Sequence, residues 1–136
     1  MLSTENLQKC IETLEKSYEL INKSKTGSID YEMYRNSLVK SFEITLEQSG
    51  KLLKKKLTPF FATNKEVDRL NFKDVFRYSA KFSILSEDEV NRWFKYRDNR
   101  NNTAHDYGVA FAEETLVLID SFLNDVKNLK KVIENE

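Results

Sequence analysis

Glycine and proline are so scarce in this sequence that long, uninterrupted helices are its most economical fold. The chain of 136 residues contains three glycines and one proline, whereas sandwiches and barrels, which are rich in turns, usually need more of both. Apolar side chains also recur at helical spacing, beginning with Leu7, Ile11, Leu14, Tyr18 and Ile21. We therefore predict an all-α fold, an antiparallel up-and-down four-helix bundle with an additional short helix.

Capping and breaking residues divide the apolar pattern into separate helices. Ser3 is the expected cap of the first helix, Asp30 opens the second, and Pro59 closes it. Asn71 is the expected cap of a shorter third helix, and Ser86, followed by three acidic residues, is that of the fourth.

No internal repeat, low-complexity tract or long linker divides the chain, so residues 1–136 are predicted to form a single domain. Residues 60–70 are the least regular part of the pattern, and their role stays open.

Charge and cysteine content exclude several classes of protein. The 22 basic and 22 acidic residues cancel, which argues against a general nucleic-acid coat or a polybasic membrane binder. One cysteine and one histidine form neither an internal disulfide nor a thiolate metal cage, so we predict no metal site and no cofactor. Without a leader-like start or a long apolar run, the chain is expected to be cytoplasmic and free of membranes.

The stretch 91–107 departs from the simple amphipathic pattern. Residues 91–100 hold four basic side chains against one acidic side chain. Asparagine favours helix ends, so the fourth helix should end near Asn101. Thr103 with Asp106 has the form of a capping box, which predicts that the last helix starts there.

The junction between the fourth and the last predicted helices would suit a phosphate-sized anion. Near the start of a helix, His105 would be a neutral base, because the helix dipole disfavours its charged form. The Arg100 guanidinium and the N–H groups of the helix start would bind phosphate oxygens. A lone histidine near a helix start is nevertheless more often structural, and helix-face cations are usually just solvated. The further candidate contacts to RNA or nucleotide phosphate are Arg92, Lys95, Arg97, Asn101 and Thr103.

The segment from Arg100 to Tyr107, Arg-Asn-Asn-Thr-Ala-His-Asp-Tyr, resembles the Arg-x4-6-His-x-Tyr motif of the HEPN family. With Trp93 and the all-helical pattern, the chain is similar to the nucleotidyltransferase substrate-binding branch of that family, small helical proteins encoded beside a minimal nucleotidyltransferase. The resemblance implies a four-helix bundle that forms a homodimer, with two copies of the motif facing a shared cleft.

Nuclease members of this family are metal-independent endoribonuclease toxins of toxin-antitoxin pairs. The resemblance implies that His105 is the general base toward a ribose 2′-hydroxyl and that Arg100 stabilises the attacked phosphate. It also implies that the nucleotidyltransferase neutralises the toxin by attaching AMP to a motif tyrosine, by position Tyr107. The alternative is a non-catalytic nucleotide- or substrate-binding subunit of a two-component nucleotidyltransferase. In a third hypothesis the protein is a helical homodimer whose motif is only structural.

Overall fold

The computed structural model describes residues 2–103 and 109–135, and the side chains of residues 2–100 and 112–135. These residues form six α-helices and one 3-10 turn, which confirms the predicted all-α bundle. The turn, Thr58–Phe60, follows the second helix. The helices are α1 (Glu5–Lys23), α2 (Ile29–Leu57), α3 (Asn64–Asp68), α4 (Phe72–Lys81), α5 (Glu87–Thr103) and α6 (Val109–Glu134).

The four long helices α1, α2, α5 and α6 alternate in direction, as expected of an up-and-down bundle. Side-chain contacts between neighbouring helices fix these directions, because each pair of contacts runs in opposite order along antiparallel helices. The contacts are Ser17 with Ser37 and Thr45 with Cys10 between α1 and α2, Arg92 with Asp125 and Asn99 with Thr115 between α5 and α6, and Glu15 with Lys127 and the N-cap residue Thr4 with Glu134 between α1 and α6.

Aromatic rings from three helices meet in the middle of the bundle. Phe122 of α6 lies 4.7 Å from Phe42 of α2, 5.6 Å from Trp93 and 5.0 Å from Tyr96, measured between ring centroids. All four side chains are buried. Edge-to-face packing of such rings adds stability beyond the area that they bury, so α5 is firmly seated against α2 and α6. No helix in the described part of the chain is long and apolar enough to span a membrane.

Two predicted helix caps are confirmed by reciprocal hydrogen bonds. The Asp74 amide donates to the Asn71 side chain at 2.8 Å, and the Asn71 amide donates to the Asp74 carboxylate at 3.2 Å. Ser86 and Glu89 make the same exchange, at 3.2 Å in both directions. Each capping box satisfies two amides that a helix start otherwise leaves unpaired.

The first two helices start one or two residues away from their predicted positions. Helix α1 begins at Glu5, after Thr4 rather than directly after Ser3. Helix α2 begins at Ile29, before Asp30, because the Ser28 hydroxyl accepts a hydrogen bond from an amide in its first turn. Helix α3 was not predicted, since five residues are too few for a helical period to be visible.

The predicted start of the last helix at Thr103 is wrong. Thr103 lies within α5 (Glu87–Thr103), and the described part of α6 starts at Val109. The helix continues past Asn99 because this residue is on its buried face, with Tyr96 1% exposed and Asn99 8% exposed. Asn99 also donates a hydrogen bond to Thr115 of α6 at 3.0 Å. Tertiary contacts thus override the weak local preference of asparagine for a helix end.

Candidate functional site

The motif arginine Arg100 lies near the C-terminal end of α5, beside a carboxylate that comes from α2. Its Nε atom is 3.7 Å from Oε1 of Glu47, and the same oxygen accepts a hydrogen bond from Arg97. The Arg100 side chain is 34% exposed and that of Glu47 is 40% exposed. One carboxylate of α2 therefore faces two guanidinium groups of α5.

Arg97 connects this cluster to the start of α4. Its guanidinium carbon lies 4.8 Å above the centroid of the Phe72 ring, at cation-π distance. Only 23% of the Arg97 side chain is exposed. Because its fork contacts Glu47 on one side and a ring on another, Arg97 is held more firmly than a solvated surface arginine.

A second polar network joins α5 to α6 about two turns before the motif. Arg92 donates two hydrogen bonds to Asp125, from Nε and Nη2, each 2.9 Å long. The Tyr96 hydroxyl donates to the same carboxylate at 2.5 Å and contacts the Ser121 hydroxyl at 2.5 Å. Asp125 is 1% exposed, so the carboxylate depends on these donors to compensate for lost water.

Protonation in this network follows from its geometry. Burial, and then the hydrogen bond to Asp125, raise the pKa of Tyr96 above its usual value. The hydrogen bonds to Asp125 likewise raise the pKa of Arg92. Tyr96 is therefore a neutral donor and Arg92 a cation at any physiological pH.

The structure describes the side chains of four predicted site residues, all on α5. Arg97 and Arg100 share Glu47, whereas Arg92 faces Asp125. Lys95 is exposed on α5. The predicted phosphate contacts of these four residues stay predictions. Asn101 and Thr103 lie on the last turn of α5, where the backbone alone is described, and His105 and Tyr107 lie outside the described residues.

Two acidic residues of this region were missed by the sequence reasoning. Asp125 had a visible signal, because it stands three residues after Phe122 and four before Leu129 on the buried face of α6. An acid on such a face indicates a buried partner. Glu47 had no comparable signal, since it lies at the edge of the buried face of α2 and its arginine partners are 50 and 53 residues away.

One family model matches nearly the whole chain. Residues 2–135 match the family model described as nucleotidyltransferase substrate binding protein like. A curated relative from Haemophilus influenzae, named Probable ribonuclease HepT, is 31% identical over 85 residues. That match covers 62% of this chain and 57% of the length of the relative.

Solved structures share the fold at low sequence identity. A Haemophilus influenzae protein, described as having the fold of a substrate binding domain of a nucleotidyltransferase, superposes with a TM-score of 0.81 at 22% identity, over 98% of this chain and 100% of its own. A Thermus thermophilus protein gives a TM-score of 0.74 at 19% identity, over 95% and 99%. A chain from a toxin-antitoxin structure with AMP-PNP gives 0.66 at 12%, over 97% and 100%.

Proposed function

This chain belongs to the nucleotidyltransferase substrate-binding protein family, the HEPN branch that its motif resembles, and on that premise we propose that it is the partner of a minimal nucleotidyltransferase and a metal-independent endoribonuclease toxin. The similarity to HepT, named a probable ribonuclease, and to a chain of a toxin-antitoxin structure supports this proposal.

The observation that carries the proposal is the position of Arg100. This arginine lies at the end of α5, five positions before His105 and seven before Tyr107 in the sequence. Its contact with Glu47 is 3.7 Å long and partly exposed to solvent. Exposed ion pairs of this kind contribute little free energy, so a phosphate can compete with the Glu47 carboxylate for Arg100.

The proposed reaction uses a nucleophile that the RNA itself supplies. His105 removes the proton of a ribose 2′-hydroxyl, and the 2′-oxygen attacks the adjacent phosphorus while the bond from phosphorus to the 5′-oxygen breaks. Arg100 stabilises the negative charge that builds on the phosphate oxygens. The leaving 5′-oxygen takes up a proton from water, and the hydroxide that remains takes back the proton held by His105. The products are a 2′,3′-cyclic phosphate and a 5′-hydroxyl. The RNA therefore supplies both the nucleophile and the leaving group.

We also propose that two copies associate, so that two motifs face one cleft, in a cytoplasmic single-domain protein. The chain has zero net charge, so RNA must be attracted by a local positive stretch such as residues 91–100. Pairing would bring two such stretches to one cleft. Light scattering tests this association, because a dimer should have twice the monomer mass of 16.0 kDa.

Tyr107 is the proposed acceptor of AMP. When the protein is incubated with its nucleotidyltransferase and ATP, its mass should rise by one AMP per modified tyrosine and its nuclease activity should fall. The Tyr107→Phe variant should gain no AMP, because the transfer requires the phenolic oxygen to attack the α-phosphorus of ATP while pyrophosphate leaves. Tyr31→Phe is the matched control, since Tyr31 lies at the start of α2 and donates to Glu113 of α6. Modification of Tyr107→Phe at the wild-type level would assign the acceptor to another residue.

The second candidate function is a non-catalytic subunit that presents a nucleotide to the transferase. The substrate-binding description of the family and the zero net charge favour it. Purified protein free of its partner should cleave RNA in EDTA if the first proposal is correct. Intact RNA together with calorimetric binding of a nucleotide would instead support the second.

A further inference from the structure

Basic side chains project from α4 in a line that the sequence motif does not include. Lys73, Arg77 and Lys81 are spaced four residues apart and therefore share one face of the helix. At 1.5 Å of rise per residue, their backbone positions span ~12 Å. We call this row, together with the aromatic rings beside it, the α4 ridge.

Aromatic rings flank every cation of the α4 ridge. Lys73 and Arg77 lie 5.5 and 5.3 Å from the centroid of the Phe94 ring, and Lys81 lies 5.7 Å from that of Tyr78. Both rings are half-buried. Within the described part of the chain, every cation-π contact belongs either to this ridge or to the adjoining pair of Arg97 and Phe72.

Contacts lead from the α4 ridge to the motif arginine. Arg100 and Arg97 share Glu47, and Arg97 stacks on Phe72, the first residue of α4. The next residue, Lys73, donates to Asp98 of α5 at 2.8 Å. The ridge therefore begins beside the candidate site and extends away from it along α4.

The ridge keeps its cations accessible. The Lys73 side chain is 36% exposed and that of Arg77 59% exposed. Their acidic partners, Asp98 and Asp74, are themselves 58% and 35% exposed. Exposed ion pairs are weak and screened by salt, so a polyanion with regularly spaced charges can displace these carboxylates.

We propose that the α4 ridge binds the backbone of single-stranded RNA and guides it to the site at Arg100, an inference that rests on the proposed function. Single-strand binders combine a line of cations with aromatic rings that bases stack against. At ~3.4 Å per charge of a stacked strand, ~12 Å corresponds to about three to four nucleotides. An acidic protein surface would use the cations but would have no need of the flanking rings.

Neutralising the ridge tests this assignment. The variant Lys73→Gln/Arg77→Gln/Lys81→Gln is compared with Lys9→Gln/Lys16→Gln/Lys23→Gln, which removes three exposed lysines from α1. Both variants lose three positive charges, so only the location differs. Affinity for a fluorescent, uncleavable 2′-O-methyl RNA oligonucleotide is measured by anisotropy at several salt concentrations.

The ridge variant should bind at least ten-fold more weakly at low salt. The slope of log affinity against log salt concentration should be less negative by about 2. Each phosphate that a cation neutralises contributes ~0.7 to the size of this slope for a single strand. The α1 variant should bind like the wild type. The single variant Arg77→Gln repeats the test if the triple variant is unstable, with a slope change of about 0.7.

Equal losses of affinity in the two triple variants, no loss in the ridge variant, or no binding by the wild type would overturn the ridge proposal. So would loss of co-purification with the nucleotidyltransferase at unchanged RNA affinity, since the ridge would then be a protein interface. A wild type that binds the oligonucleotide through the ridge but leaves unmodified RNA intact would overturn the nuclease proposal alone.

Discussion

Replacing His105 with alanine is expected to slow RNA cleavage by about 10²- to 10⁴-fold, the range that general acid-base catalysis contributes. Removing the imidazole takes away the proposed acceptor of the 2′-hydroxyl proton. The measurement is the initial rate of cleavage of a fluorescent RNA in EDTA.

Arg100→Ala should reduce the same rate by about 10²- to 10³-fold, as the loss of one donor to a developing oxyanion does. Arg100→Lys should recover part of the rate, because it restores a charge without the two-pronged guanidinium. Lys127→Ala is the control for a lost surface cation, since Lys127 pairs with Glu15 between α1 and α6. Its cleavage rate should equal that of the wild type.

These variants separate a catalytic role from a structural one. A structural role predicts that Arg100→Ala lowers the melting temperature and leaves the cleavage rate per folded molecule unchanged. Wild-type cleavage by both His105→Ala and Arg100→Ala would contradict the assignment of the motif as the catalytic site.

Asp125→Ala should cause the largest loss of stability among the single changes considered. The substitution leaves Arg92 and the Tyr96 hydroxyl facing a buried position without their acceptor. Breaking a buried ion pair typically costs about 3–5 kcal/mol. We expect about 3 kcal/mol, the low end, because the Arg92 side chain is 40% exposed and regains water. Urea denaturation followed by circular dichroism measures the change in the free energy of unfolding.

Glu114→Ala provides the control on the same helix, since Glu114 is exposed. Its free energy of unfolding should stay within about 0.5 kcal/mol of the wild type. An Asp125→Ala variant as stable as Glu114→Ala would show that the network does not hold α5 against α6.

Much of the fold was predictable because local signals and packing agree. Asn71 and Ser86 cap their helices as their spacing to Asp74 and Glu89 suggests. The start of the last helix was not predictable from local preference, since Asn99 and Thr103 both lie within α5 and Asn99 donates a hydrogen bond to Thr115 of α6. A hydrogen bond between two helices cannot be predicted from the residues next to it in the sequence.

The candidate site was predictable in its residue types but not in its partners. The positive stretch of α5 is evident in the sequence, and Arg97 and Arg100 do share one side of that helix. Their common partner Glu47 lies on α2, and only the bundle brings α2 beside them. The same packing places Phe72 under Arg97 and joins α4 to the site.

Removing the ribose 2′-hydroxyl at the cut position tests whether the RNA supplies its own nucleophile. An RNA oligonucleotide is incubated in EDTA with purified wild-type protein, beside the same oligonucleotide carrying a single 2′-deoxy nucleotide at the cut position. The proposed reaction predicts a 2′,3′-cyclic phosphate and a 5′-hydroxyl from the first, and no cut at the modified position of the second, because the nucleophile is missing. Cleavage at the 2′-deoxy position, or products ending in 3′-hydroxyl and 5′-phosphate, would contradict it.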